Sequence, residues 1–174
     1  MPITQGGDAH PALIKGTLMI TLRPMREDEY PAYLDYFIAD YAQEIAANYR
    51  LSEAEAQARA TQEIADDLPA GVNTPGHVLL CLLAEGEKHV GYLWYKPDAS
   101  MQTVFIYDFH IFDACQGQGL GKGALRAFED EMRAKGVEQI RLRVAGDNAR
   151  ARHVYEAIGF GVTGINMSKN LKDE

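Results

Sequence analysis

Four glycines alternate through Gly117, Gly119, Gly121 and Gly123, interleaved with Gln118, Leu120 and Lys122. They stand between a strand-like apolar run and a helix-like one. Glycines at such a junction let backbone N–H groups crowd around an anion without interference from Cβ atoms. The helix that follows turns its positive end toward the same point. The chemistry this suits is the holding of a phosphate or pyrophosphate, although a plain flexible turn accounts for the glycines equally well. Two familiar nucleotide loops are excluded. A Walker loop needs a glycine five positions before Gly121, where Gln116 stands, and a Ser or Thr after Lys122, where Gly123 stands. A dinucleotide fingerprint needs a glycine at position 122 and an acid at the end of the next strand, where the chain has Lys122 and Val144.

Charge is the second feature. The 174 residues carry a net charge of −8. Between Arg26 and Ala70 stand eleven acids (Glu27, Asp28, Glu29, Asp35, Asp40, Glu44, Glu53, Glu55, Glu63, Asp66, Asp67) against Arg26, Arg50 and Arg59, so this segment holds the whole imbalance. The asymmetry argues against a nucleic-acid partner and suits a cationic one, with solvated helix faces as the plainer explanation. Cys81 sits in an apolar run and Cys115 in a loop; neither belongs to a Cys/His spacing that would bind zinc, and no metal is expected. No apolar run approaches the ~18–20 residues that span a bilayer, and Met1 to Gly16 lacks the apolar block of a signal peptide, so no membrane partner and a cytoplasmic location are expected.

The elements that must position these residues follow from periodicity. Leu18–Pro24 reads as a strand ended by proline. Tyr33, Phe37, Tyr41 and Ile45 recur every four residues in a helix starting near Asp28 or Glu29, because Pro31 fits only a first turn. Ser52 and Glu55 form a capping box that opens a second helix, which Pro69 and Gly71 stop. Strands follow over His77–Ala84, Val90–Tyr95 and Thr103–Phe112, the first and last reading as central strands buried on both faces. Leu120, Ala124, Phe128 and Met132 line a helix capped by Gly136. Glu138–Val144 alternates as a strand. Asp147-Asn148 then caps a short helix striped by Ala151, Val154, Tyr155 and Ile158, which Gly159 ends, and Phe160–Leu171 reads as a last strand. The order βααβββαβαβ implies a mixed α/β sheet with helices on its faces. The expected organisation is a loose lead-in over 1–17 and a single domain over 18–174, a length suited to one core.

Gln116-x-x-Gly119-x-Gly121 resembles the (Arg/Gln)-x-x-Gly-x-(Gly/Ala) signature of the GCN5-related N-acetyltransferase superfamily. A strand ending Phe109-His110-Ile111-Phe112 precedes it. Asn148-x-x-Ala151-x-x-x-Tyr155-Glu156-x-x-Gly159-Phe160 follows it and is similar to the family's Asn…Ala…Tyr-Glu-x-x-Gly-Phe segment. The resemblance implies a mostly antiparallel central sheet with helices on both faces. It implies acetyl-CoA as co-substrate, held between a splayed fourth and fifth strand. By this likeness Gln116, Gly117, Gln118, Gly119, Leu120, Gly121, Lys122 and Gly123 form the cofactor loop, with the N–H groups of Gln118 to Gly123 on the pyrophosphate. Ile111 lies at a strand bulge and offers its N–H to the developing oxyanion. Asn148 steadies the pantetheine.

The implied reaction is attack of a primary amine on the thioester. An alkylamine with pKa about 10.4 must lose a proton, and the departing thiolate leaves more readily when protonated. Tyr155 matches the family tyrosine that serves as acid; its periodicity alone fits a core aromatic. His110, an imidazole suited to accept a proton at neutral pH, is the first candidate base and Asp108 on the same strand face the next. The first two helices wall the acceptor site in this family. Their acids and Tyr33, Tyr36, Tyr41 and Tyr49 point to a small cationic amine as acceptor. A protein or peptide N-acetyltransferase and a non-catalytic acyl-CoA sensor are the competing readings, and a homodimer through edge strands is left open.

Overall fold

The computed structural model describes residues 19–172. The expected lead-in over 1–17 lies outside the described residues. Nine regular elements follow in order: β1 (Thr21–Pro24), α1 (Tyr30–Tyr49), α2 (Glu53–Asp67), β2 (Val78–Ala84), β3 (Lys88–Asp98), β4 (Thr103–Ile111), α3 (Leu120–Ala134), β5 (Gln139–Leu142) and α4 (Ala149–Ala157). A 3₁₀ turn at Glu27–Glu29 leads into α1, and Pro31 occupies its first turn as expected. Ser52 caps α2, with Glu55 closing the capping box.

The five strands form one sheet in the order β1-β2-β3-β4-β5, antiparallel except for the β4–β5 pair. Alternation along β2 and β3 builds two cores. Leu79, Cys81, Leu83, Tyr92 and Trp94 meet Tyr33 of α1 and Ile64 and Leu68 at α2. Leu80, Leu82, Leu93 and Tyr95 meet Leu125, Phe128 and Met132 of α3, with Tyr155 and Ile158 of α4 at the margin. A strand covered on both faces must be apolar throughout, which is why Val90 to Tyr95 is buried without interruption.

Two strand expectations are corrected. Phe160–Leu171 holds no strand. Gly161 and Gly164 interrupt the run, and Val162, Ile165, Met167 and Leu171 are exposed, so little apolar burial offsets the entropy of ordering it. β5 stops at Leu142 instead of Val144, because its partner β4 bends away after Ile106.

Candidate active site

Pairing between β4 and β5 runs from Thr103–Gln139 to Ile106–Leu142 and then ends. The next β4 residue is a bulge: Tyr95 pairs with Ile106 and Trp94 with Asp108, leaving Tyr107 unmatched. A bulge bends and twists its strand, and here it opens a gap between β4 and the chain leaving β5. The bulge lies at Tyr107, four residues before the expected position at Ile111. Its ring stacks on Trp94 with centroids 4.7 Å apart.

The extra residue also inverts the alternation. Before it, Val104 and Ile106 face the α3 core; after it, Phe109 and Ile111 do so. Asp108 and His110 are thereby delivered to the α1 face. The Tyr33 hydroxyl donates to Asp108 Oδ2 at 3.1 Å and the Tyr36 hydroxyl to Oδ1 at 3.2 Å. The Tyr36 ring lies flat on His110, centroids 4.2 Å apart and planes 19° apart. A second contact fixes this end of β4. A Cβ on Gly91 would collide with the His110 carbonyl oxygen, so only glycine allows β3 to approach there.

Strand geometry aims the backbone of Ile111 into the gap. Phe112 donates its N–H to the Val90 carbonyl at 2.8 Å, so the preceding residue turns its polar groups away from β3. The Ile111 carbonyl accepts from Gln116 Nε2 at 3.0 Å, and the same amide reaches Asp113 Oδ1 at 3.2 Å. Gln116 therefore ties the loop to the strand end; its amide is engaged within the protein.

The glycine loop has the conformation that an anion cradle needs. Gly117 and Gly119 adopt φ of 77° and 76°, and the space beside each is open. Gly119 is the N-cap of α3. The Gly123 N–H bonds the Gly119 carbonyl at 3.1 Å, which removes it from the expected set of pyrophosphate donors. The N–H groups from Gly119 to Lys122 precede the first helical bond and have no intrahelical acceptor. They are the groups that fit a pyrophosphate, with the exposed Lys122 ammonium beside them. Asn148 caps α4 by accepting from the Ala151 N–H at 3.1 Å, so its carboxamide oxygen is committed to the helix.

The expected acceptor wall is narrower than its sequence suggested. Tyr33 is fully buried beneath the site. Tyr41 bonds Glu63, and Tyr49 packs against Arg59. Several acids of the segment are paired on the outer surface, Glu29 with Arg23 and Glu63 with Arg59 among them. Two acids of the segment lie near Asp108: Asp40, one turn of α1 beyond Tyr36, and Glu44, one turn further and paired with Arg143. Arg143, just past β5, bonds Glu44 at 3.3 Å and Tyr49 at 3.4 Å, while Asn48 bonds Asp147 at 3.3 Å. These contacts tie the end of α1 to the loop after β5. Sequence reasoning counted Asp40 only as one acid of the wall, and missed Arg143 and the double contact of Tyr36. The spacing Tyr33, Tyr36, Asp40, Glu44 marks one helix stripe and was the available signal.

Burial and the Asp40 charge push the Asp108 carboxyl up to about 7, against the pull of the two phenol donors. Burial lowers His110, opposed by Asp40 and Asp113. Burial raises Asp40 and Glu44. Tyr155, on the opposite side of the sheet with Phe109 and Phe160 against its ring, is raised by burial and then by the Asp108 charge. Among the described residues no group of His, Cys, Asp and Glu is placed to hold a metal ion. No described helix is long and apolar enough to cross a membrane.

Comparison with known proteins identifies the family. The Acetyltransferase (GNAT) family model matches residues 25–160. YycN of Bacillus subtilis (strain 168), described as an uncharacterized N-acetyltransferase, is 38% identical over 157 residues, 88% of this chain and 100% of YycN. The crystal structure of the Bacillus subtilis acetyltransferase YycN superposes with a TM-score of 0.83 over 88% of this chain and 99% of that one. A mycothiol acetyltransferase of Beutenbergia cavernae is 44% identical over 80 residues, 45% of this chain and 26% of that protein. The chain belongs to the acetyltransferase (GNAT) family and is an acetyl-CoA-dependent acetyltransferase.

Proposed function

We propose that the protein transfers the acetyl group of acetyl-CoA to the primary amine of a small cationic compound, by direct attack within a ternary complex. The observation that carries this reading is the gap beyond Ile106 and Leu142, with Asp108 held on its α1 wall and Tyr155 on the other side. The loop from Gly117 to Lys122 grips the pyrophosphate at the N-terminus of α3. The Ile111 N–H faces the gap and stabilises the oxyanion as it develops. Asp108 or His110 takes the proton of the attacking amine. Tyr155, which keeps its proton at neutral pH, donates a hydrogen bond to the departing sulfur.

The acceptor class is argued from the cleft. Asp40 and Asp108 attract an ammonium group. The contacts from α1 to Arg143 and Asp147 narrow the mouth, which favours a small acceptor over a polypeptide.

Thiol release from acetyl-CoA against a panel of amines tests the proposal. Diamines and polyamines should turn over with kcat/KM above that of neutral or acidic amino acids. Tyr155→Phe should lower kcat by about 10²-fold with little change in the KM for acetyl-CoA. Preference for acidic or neutral acceptors would remove the cationic class. Tight acetyl-CoA binding with no turnover on any amine would move the sensor reading ahead.

A further inference from the structure

Two side chains of β4 compete for the role of base, and the α1 tyrosines treat them differently. Tyr33 and Tyr36 each place a hydroxyl on a separate oxygen of Asp108, at 3.1 and 3.2 Å. Such a carboxylate is fixed in orientation and keeps acceptor sites on both oxygens. His110 receives no such hydrogen bond from α1. Its ring is covered by Tyr36 at 4.2 Å and flanked by Phe112 at 6.0 Å. Tyr33 is fully buried, so the platform beneath Asp108 rests on the core.

We propose that Tyr36, anchored beside Tyr33, is a positioning residue that presents Asp108 as the acceptor of the amine proton and withholds His110 from that role. The inference rests on the acetyltransferase reading of the site. One proton passes from the ammonium nitrogen to an Asp108 oxygen; the free amine attacks the thioester carbon, forming the carbon–nitrogen bond; the carbon–sulfur bond breaks as the sulfur takes the Tyr155 hydroxyl proton, and the second nitrogen proton restores Tyr155, leaving amide and free thiol. The groups that act on Asp108 are Tyr33, Tyr36, Asp40 and Glu44 of α1; His110 follows two residues on along the same strand face, and the Asp108 charge also reaches Tyr155 across the sheet. Their balance holds Asp108 at about 7, while His110 lies below its ordinary 6.5. The two bases are therefore separable by pH.

The test is the pH dependence of kcat/KM for the best amine, with the Asp108 carboxyl titrated by ¹³C NMR in the full chain without substrate. The acidic limb should fall near pH 7. Tyr36→Phe keeps the ring over His110 and deletes one donor, so limb and carboxyl titration should both move to higher pH. Tyr33→Phe should move them the same way, and Asp40→Asn the opposite way. Asp108→Asn should abolish the limb and lower kcat/KM by roughly 10²–10⁴-fold, whereas His110→Gln should retain a limb near pH 7. Loss of the limb in His110→Gln would overturn the proposal. So would a Tyr36→Phe carboxyl that titrates where it does in the unmodified protein. If no amine is acetylated, the enzymatic reading fails on its own, and the carboxyl titration still decides whether Tyr36 governs Asp108.

Discussion

Gly91 shows how a single atom can set the geometry of this site. Its missing Cβ is what lets β3 lie against the carbonyl of His110, in register with Ile111. Backbone cannot step aside as a flexible side chain can. Gly91→Ala should therefore cost about 2 kcal/mol or more, at the upper end of overpacking effects. Urea denaturation checks this through a lower midpoint at unchanged slope. The same variant should lose transfer activity beyond its loss of stability, because His110 and Ile111 are displaced together. A midpoint equal to that of the unmodified protein would show that the strands accommodate the methyl. The sequence named Asp108, His110, Ile111 and Tyr155 from strand position and resemblance. It did not reveal that Asp108 would be gripped by two phenols from α1, 72 and 75 residues earlier in the chain. That pairing depends on the Tyr107 bulge, which swaps the faces of β4. Apolar patterning does not mark an inserted residue when both faces are apolar or aromatic.

At the scale of elements, the turn between β4 and α3 was legible because its chemistry is local. Glycine spacing, the loop and the helix start all come from one stretch of chain. The donors at issue are the N–H groups from Gly119 to Lys122, and their aim depends on Gly119 at φ 76°. Gly119→Ala should strain the loop by ~1–2 kcal/mol, the cost of placing a side-chain-bearing residue in the left-handed region. It should also raise the KM for acetyl-CoA several-fold. Gly136→Ala supplies the control, since Gly136 has φ 79° and equally open surroundings at the far end of α3. It should lose similar stability and leave that KM unchanged. Equal KM values in the two variants would show that the loop does not present the phosphate donors. The final strand, in contrast, was misread. Phe160–Leu171 has strand-like composition, but a strand exists only where a neighbour completes its hydrogen bonds, and no periodicity reports that. The β5 boundary failed for the same reason. The helix caps at Ser52 and at Asp147-Asn148, of which Asn148 makes the bond, were legible because the cap and its target lie three residues apart.

For the whole molecule, the acids that build the site and those that hold the fold oppose one another. Glu29, bonded by Arg23, is held near 2 instead of its ordinary 4.5. The folded state thus gains stability above pH 4.5 and loses it as pH falls toward 2. Asp108 behaves in the reverse sense. Its carboxyl is raised from 3.8 to about 7, so between those values the folded state binds a proton that the unfolded chain has released. Stability therefore declines as pH rises from about 4 to 7 and is flat above, and the raised Asp40 and Glu44 add to the decline. A tenfold change in proton affinity between folded and unfolded chains is worth ~1.4 kcal/mol, so Glu29 favours and Asp108 opposes folding by about 3–4 kcal/mol each. The melting temperature should accordingly peak between about pH 4 and 5 and fall on both sides. Asp108→Asn should remove most of the upper slope and melt several degrees higher than the unmodified protein at pH 8, while transferring acetyl groups poorly. Glu29→Gln should flatten the lower slope alone. Calorimetry from pH 2 to 9 on the three proteins decides the matter. An Asp108→Asn curve parallel to that of the unmodified chain between pH 4 and 7 would mean that the site carboxyl is solvated and stores no strain. A gain in stability bought with lost transfer would instead locate the energetic cost of catalysis in this one residue, poised by α1 against its own burial.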